Sequence, residues 1–158
     1  MAHRNRRGSL AAMARDDRRR ILKRAAVVVL ALFLAIQAVP YGWWHENPPV
    51  VAAAQWPDPE AEAIARAACY DCHSNESRWP FYSYVAPMSW LVRRDVEQGR
   101  EELSFSDWDA GEADDAIDSI EEGKIPPWTY TMIHRDAAMS PEEMAIVIDA
   151  LRLMEAAD

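Results

Sequence analysis

The most constraining feature of this 158-residue chain is a five-residue motif near its middle, Cys69-Tyr70-Asp71-Cys72-His73. Its two cysteines are the only ones in the chain, and a histidine directly follows the second. This C-x-x-C-H spacing is the attachment signature of c-type haem, because two thiols can add to the two vinyl groups of one haem while the histidine reaches the iron. The motif therefore predicts one covalently attached haem c, held by Cys69 and Cys72, with His73 as the proximal iron ligand.

Three other uses of the two cysteines stay open at this point. A dithiol redox pair usually lies at a helix start beside a βαβ pattern, and no such pattern is found in the sequence. A zinc site would need another histidine, and only His45 and His134 remain on this side of the chain. A disulfide across two intervening residues would add little stability, because the closed loop is short. The specificity of the full motif favours haem over each of these.

Charge is divided unevenly along the chain. Residues 1–44 hold nine Lys and Arg against two Asp, a net charge of +7, whereas residues 45–158 hold eight against twenty-four Asp and Glu, a net charge of −16. Residues 25–44 carry no charge, and as a helix they would be about 30 Å long, the thickness of a bilayer core. The sequence therefore predicts a basic cytoplasmic segment at 1–24 and a transmembrane helix at 25–44.

The residues that flank this uncharged run predict its orientation. Five basic residues within positions 18–24 precede it, which favours a cytoplasmic N terminus, and Tyr41, Trp43 and Trp44 close its far end as interfacial aromatic residues do. A cleaved signal peptide with an apolar core at 25–36 is the alternative, but its charged leader would be long and no small-x-small cleavage site follows cleanly. In either case the acidic part is expected in the periplasm, and the uncleaved chain is expected to be a single-pass protein of the inner membrane.

The exported part is predicted to consist of an extended linker and one helical domain. Residues 45–58 read as the linker, because their proline clusters cannot continue a helix. The domain at 59–158 is predicted to be all-α, since no run alternates like a strand for more than a few residues. Capping residues and hydrophobic periodicity place its four short helices at about 59–70, 87–103, 111–122 and 140–155.

Two segments rich in proline and aromatic residues, at 79–90 and 125–130, lie between the predicted helices. They could simply fill the core of a small domain. However, a flat apolar macrocycle needs irregular segments to cover it, and a domain of this size gains much of its core by burying it. We therefore predict that these segments line a haem pocket. The predicted pocket residues are Trp79, Tyr82, Trp90, Pro126, Pro127 and Tyr130.

Short stretches spread between residues 39 and 153 match the pattern of a known protein family. The stretches are Val39-Pro40-Tyr41-Gly42, Asn47-Pro48-Pro49-Val50, Cys69-Tyr70-Asp71-Cys72-His73-Ser74-Asn75-Glu76, Trp79-Pro80, Tyr82-Ser83, Ala86-Pro87, Ser89-Trp90-Leu91-Val92, Asp95-Val96, Pro126-Pro127, Tyr130, His134, Ala137 and Ser140. In these residues the chain resembles the bacterial haem-binding domain proteins that have a single N-terminal anchor. The resemblance implies a small monohaem, cytochrome c-like fold in which a few helices surround a covalently held haem.

The sixth iron ligand is predicted on the segment after residues 126–127. The family's usual Met-Pro-Pro reads Ile-Pro-Pro at 125–127 here, so a methionine that could serve the iron is absent. Met132 and His134 both lie on the segment that passes over the distal face in cytochrome c-like folds, and the resemblance places a histidine at position 134. We therefore predict His73/His134 ligation, with Met132 as the alternative and an open site third. His134 could instead only hydrogen-bond a haem propionate or cap a turn.

Taken together, these features predict an electron-transfer protein and not an enzyme. The sequence contains no Ser-His-Asp arrangement, no glycine-rich phosphate loop and no HExxH motif. Its expected partner is a redox protein, which the acidic domain could attract if that partner is basic, and no nucleic-acid partner is expected. The alternatives are a haem-based sensor or ligand-binding module and a peroxidase-like enzyme, both of which need an open iron position.

Overall fold

The computed structural model describes residues 3–157 of the chain, with side chains from residue 15 onwards. The chain forms two compact units, Met1–Pro40 and Tyr41–Asp158. Over the described residues the regular structure is helical, and the strand-like pairing there is one isolated bridge between Ala52 and Asp107. The prediction of an all-α fold is thereby confirmed.

The first unit consists of one long helix, α1 (His3–Gln37). The helix predicted at 25–44 is wrong in both bounds, because α1 starts within the basic segment and ends seven residues before Trp44. It ends there because Val39 precedes Pro40, and the residue before a proline disfavours helical backbone angles. Within residues 3–157, none of the helices combines the length and apolar character that crossing a bilayer requires.

The second unit begins with a largely extended segment, residues 41–57, that is hydrogen-bonded to the rest of the unit. Ala54 N donates a hydrogen bond to the carbonyl of Phe105 (2.9 Å), and Trp108 N donates to the carbonyl of Ala52 (2.9 Å). The residues that were predicted to form a linker, 45–58, are therefore extended but belong to this compact unit. We refer to residues 41–57 as the strap.

Six α-helices follow the strap within the described part of the second unit. They are α2 (Pro59–Ala68), α3 (Tyr70–His73), α4 (Met88–Glu102), α5 (Ala113–Glu121), α6 (Trp128–Thr131) and α7 (Pro141–Ala156), and short 3₁₀ turns form at Phe81–Tyr84, Ala110–Glu112 and Arg135–Ala137. The four predicted helices correspond to α2, α4, α5 and α7, with bounds that differ by at most two residues. The single-turn helices α3 and α6 were not predicted.

The core of this unit lies directly behind the C-x-x-C-H motif. Helices α2, α5 and α7 pack together through buried residues that include Ile117, Ile120 and Leu151. Tyr70 of the motif stacks on Phe105, with ring centroids 5.0 Å apart and an interplanar angle of 8°. On its other side α3 packs against α4. The motif is therefore held between the apolar core and α4.

Candidate functional site

The motif is placed by a break between two helices at Cys69. The backbone of Cys69 leaves the helical region (φ −122°, ψ −38°) and closes α2 by donating to the carbonyl of Ala65 (2.8 Å). Its own carbonyl then accepts from the amides of Cys72 (3.1 Å) and His73 (2.9 Å), which forms the single turn of α3. Positions three and four apart share one face of a helix. Both thiols and the imidazole therefore lie on the same side of the chain.

These three side chains line one cavity of about 270 Å³ between α3, α4 and residues 125–130. The remaining lining residues are Ala68, Asp71, Asp95, Gln98, Gly99, Glu102, Ile125, Pro127, Thr129 and Tyr130. The cavity thus combines an apolar wall with a polar rim, as ligand sites commonly do.

His73 is oriented by a backbone carbonyl. Its Nδ1 lies 3.1 Å from the carbonyl oxygen of Leu103, so Nδ1–H donates and Nε2 carries the free lone pair. The His73 carbonyl accepts from Phe105 N (2.8 Å), which fixes the backbone as well. A metal-binding histidine usually donates its other ring N–H in this way, because the contact fixes the tautomer and the ring orientation. His73 is therefore suited to bind an iron atom through Nε2.

Both cysteines are free thiols with raised pKa values. Burial raises the pKa of Cys69 to about 12, with a smaller contribution from Cys72. Burial likewise raises the pKa of Cys72 to about 11, and the carboxylates of Asp95 and Asp71 add to the shift. A dithiol redox pair needs a cysteine whose pKa is lowered. The two thiols therefore do not fit that use.

The zinc alternative also lacks support in the described part of the chain. Among the side chains of residues 15–157, no group of three or more His, Cys, Asp or Glu is placed to hold a metal ion. The two histidines that could have completed such a site contact other residues, because Nε2 of His45 lies 2.9 Å from the Ser83 carbonyl and Nε2 of His134 lies 2.6 Å from the Tyr82 hydroxyl. The donor set at the cavity, two thiols and one oriented imidazole, is the set that a covalently held haem requires.

Gly99 allows α4 to approach the motif. A Cβ atom at this position would lie 2.7 Å from the carbonyl oxygen of Cys72 and 3.1 Å from its Cβ. Any larger residue would push α4 away from α3. The glycine that weakens the helix by propensity is thus needed for close packing beside the second cysteine.

Asp71, between the two cysteines, connects the motif to both segments that cover the cavity. Its carboxylate accepts from the Arg78 backbone N–H (3.0 Å) and from the Arg78 guanidinium (3.2 and 3.3 Å). It also accepts from the Tyr130 hydroxyl at 2.8 Å. Sequence reasoning missed this role, because the two positions between the cysteines have no fixed chemistry in the motif.

A smaller cavity of about 50 Å³ adjoins the first and is lined by His134, the preferred sixth ligand. It is lined by Trp79, Tyr82 and His134, and it shares Asp71, Cys72, Asp95 and Tyr130 with the larger one. The His134 ring stacks on Tyr130, with centroids 4.4 Å apart and an interplanar angle of 18°. Burial and the hydrogen bond to Asp71 raise the pKa of Tyr130. Residues from both predicted pocket segments therefore meet beside the motif.

Not all predicted pocket residues lie at these two cavities. Pro127 and Tyr130 line the larger cavity and Trp79 and Tyr82 the smaller one, whereas Pro126 lines an outer groove beside Trp128.

Trp90 lines neither cavity, contrary to its predicted place. It is five positions from Asp95 on α4, which puts it about 140° around the helix from that cavity residue. Met132, the alternative iron ligand, is 64% exposed and also lines neither cavity.

Arg100 holds the strap to the loop that follows the motif, a role that no local pattern in the sequence predicts. Its guanidinium donates to the Ser74 carbonyl (2.8 Å), the Ser77 hydroxyl (2.9 Å), the Asn47 side-chain oxygen (3.0 Å) and the Glu46 carbonyl (3.2 Å). Burial lowers the pKa of this arginine. The contact joins positions more than fifty residues apart, so no local pattern could reveal it.

Comparison with known proteins supports haem binding by this chain. The family model described as a haem-binding domain matches residues 31–152, which is more than half of the chain. No curated protein and no solved structure matches the chain. The matched range contains the C-x-x-C-H motif, both cavities and the segments that cover them. The chain is a member of the haem-binding domain family.

Proposed function

We propose that this haem-binding protein is a c-type electron carrier with a cytochrome c-like arrangement around one haem. Cys69 and Cys72 would hold the haem covalently, and His73 would be its proximal ligand. The observation that carries the proposal is that both thiols and the imidazole line one cavity while Nδ1 of His73 is bonded to the Leu103 carbonyl. When bound, the haem iron supplies one-electron chemistry between its ferric and ferrous states.

The chain itself binds, orients and covers the group. The single turn of α3 sets the distance between the two thiols, and the carbonyl of Leu103 keeps Nε2 of His73 available. Before attachment, the raised pKa values of the free thiols favour their protonated form. Pro127 and Tyr130 line the side of the cavity that residues 125–130 form. None of these roles requires a substrate, and membership of the family favours a binding protein over an enzyme.

Covalent attachment is tested by a denaturing gel stained for haem. The stain should stay with the chain after boiling, because thioether bonds survive denaturation. The double substitution of Cys69→Ala and Cys72→Ala should abolish the stained band. His134→Ala is the matched control and should keep it, since His134 has no part in the thioether bonds. An unchanged band in the double variant would refute covalent attachment.

An open iron position is the second candidate, and one observation favours it. Apart from His73, no residue that lines the larger cavity is a histidine or a methionine. A sensor, a ligand-binding module or a peroxidase-like enzyme would use such a position. A six-coordinate, low-spin spectrum that ignores carbon monoxide supports the electron carrier, whereas rapid binding of carbon monoxide supports the open site.

The sixth ligand stays a prediction, with His134 preferred over Met132. His134 lines the adjoining cavity, whereas the Met132 side chain is largely exposed. Near-infrared spectra of the oxidised protein separate the two. A methionine-to-iron charge-transfer band that survives His134→Ala and disappears in Met132→Ala would rule out His134.

We also propose that the haem domain lies in the periplasm and is held at the inner membrane. The basic segment before residue 25 and the uncharged run at 25–44 support this location. Side chains of Val27, Leu30 and Leu34 on α1 are each more than half exposed, and lipid would cover them. A phosphatase fused to the C terminus should be active in the periplasm, and the full chain should sediment with membranes. Release by high salt alone would contradict the attachment.

The net charge of −16 over residues 45–158 supports a basic redox protein as the partner. Electron exchange with a small basic redox protein should slow steeply as ionic strength rises. A rate that does not respond to salt would contradict electrostatic attraction.

A further inference from the structure

His134 is held in place by two tyrosines from different parts of the chain. Its ring stacks on Tyr130, and its backbone N donates to the Tyr130 carbonyl at 2.8 Å. Its Nε2 lies 2.6 Å from the hydroxyl oxygen of Tyr82, which belongs to the 3₁₀ turn Phe81–Tyr84. The ring is therefore fixed on one face and at one nitrogen.

Tyr82 contacts Nε2, one of the two ring nitrogens through which His134 could bind an iron atom. An imidazole binds iron through the lone pair of a ring nitrogen. In the present arrangement Nε2 either accepts the Tyr82 O–H or donates its own proton to that oxygen, and in both cases its lone pair is not available to a metal. Tyr82 and iron therefore compete for Nε2 of His134.

The position of this pair makes the competition physically reasonable. Tyr82 and His134 line the smaller cavity, which shares Cys72, Asp95 and Tyr130 with the larger cavity that contains His73. The Tyr130 hydroxyl is bonded to Asp71 of the motif, so the segment that bears His134 is tied to the motif by a side-chain contact. The two arrangements of His134 differ in the partner of its Nε2, which is Tyr82 in one and iron in the other.

We propose that Tyr82 is a positioning residue that holds His134 away from the haem iron. The Tyr82–His134 hydrogen bond then sets the fraction of molecules in which His134 is the sixth ligand. The inference rests on the proposed haem attachment at Cys69 and Cys72, and it explains how one chain can offer both an open and a filled iron position.

The test is the spin state of the oxidised, haem-loaded full chain. Tyr82→Phe removes the hydroxyl and keeps the ring, so the ratio of low-spin to high-spin protein should rise about fivefold, as expected for the loss of one ordinary hydrogen bond. Tyr84→Phe is the matched control, because it removes a hydroxyl from the same turn while its ring stacks on His45, at 3.9 Å. The control should keep the wild-type ratio.

Further variants separate this proposal from structural damage. His134→Ala should lower the low-spin fraction, and combining it with Tyr82→Phe should remove the gain. A gain that persists in the double variant would overturn the proposal, as would a Tyr82→Phe protein with an unchanged or lower ratio. A wild-type chain that is already fully low-spin through His134 would also overturn it. Haem staining of the same samples shows whether the proposed function, and not only the role of Tyr82, has failed. A wild-type chain without covalent haem would refute the proposed function itself.

Discussion

Single residues of this site act through contacts that the motif does not specify. His73 is oriented by a carbonyl of Leu103, whose side chain takes no part in that contact. Asp71 acts through its side chain, which is only 14% exposed and joins the motif to Arg78 and Tyr130. Asp95 lines both cavities. The chemistry of the motif therefore depends on neighbours that lie far from it in sequence.

Asp95 should make the stability of the protein depend on pH. Partial burial raises the pKa of its carboxyl, and the neighbouring Arg94 opposes this shift. A raised pKa means that the folded protein binds this proton more tightly than the unfolded chain does. The contribution of Asp95 to the free energy of unfolding should therefore increase as pH falls from the raised pKa towards the ordinary value, and it should be lost as pH rises.

Urea unfolding at a series of pH values measures this effect. Asp95→Asn removes the titrating group, so the variant should lack this part of the pH dependence and should be the more stable protein at neutral pH. A stability profile that is identical in the variant and the wild type would contradict the assignment.

At the scale of elements, the packing of α4 against α3 depends on one missing side chain. Gly99 brings the backbone of α4 against the carbonyl of Cys72. The neighbouring residues of α4 that share this side, Asp95 and Glu102, then line the cavity. The close position of α4 beside the motif thus depends on the absence of a Cβ atom at Gly99.

Gly99→Ala should destabilise the protein. Alanine gains about 1 kcal/mol over glycine inside a helix, but overpacking a close contact costs about 1–3 kcal/mol. The atoms in contact are backbone, so they cannot move aside unless α3 moves. We expect a net decrease in the free energy of unfolding by urea. Gly111→Ala is the control, because its Cβ would meet only Asp109 Oδ1 at 3.4 Å. An equal effect in both variants would contradict this account.

The elements that the sequence predicted are those with local signals. Asp58 caps α2 by accepting from the amides of Glu60 and Ala61, and Ser140 caps α7 in a capping box with Glu143. Each cap lies within three residues of its partners, so the sequence alone reveals it. The spacing of the two cysteines is also a local signal, and both cysteines line the larger cavity.

The unpredicted parts depend on contacts between distant residues. Helices α3 and α6 are single turns, too short for a periodic pattern to reveal them. The pairing of Tyr82 with His134 joins positions 52 residues apart, and the orienting carbonyl of Leu103 has no signature in sequence. Trp90 was assigned to the pocket by its neighbours in sequence, whereas the helical turn carries it to another side of α4.

At the scale of the whole molecule, the strap completes the second unit. Its residues pair with the segment that follows α4, and Arg100 fastens it to the loop after the motif. The strap is therefore a structural part of the haem-binding unit, to which it is hydrogen-bonded, as well as the connection to α1.

Arg100→Gln should loosen the strap. Hydrogen bonds to a charged group each contribute about 1.5–3 kcal/mol, so local opening of the strap should become at least about ten times more frequent. Limited proteolysis within residues 41–57 should then be faster by a similar factor, because cleavage follows the opened population. Arg94→Gln, an exposed position on the same helix, is the control. Equal cleavage rates in the two variants would contradict the role of Arg100.

The backbone contacts of residues 103–106 have a consequence for how this site can evolve. Leu103 O and Phe105 N hold His73 through main-chain atoms, so substitutions in that segment leave these two bonds chemically intact. The other side of the site is held by side-chain hydrogen bonds, one between Tyr130 and Asp71 and one between His134 and Tyr82. Point mutations can therefore alter the side-chain contacts of Tyr130 and His134 more readily than the main-chain contacts of His73.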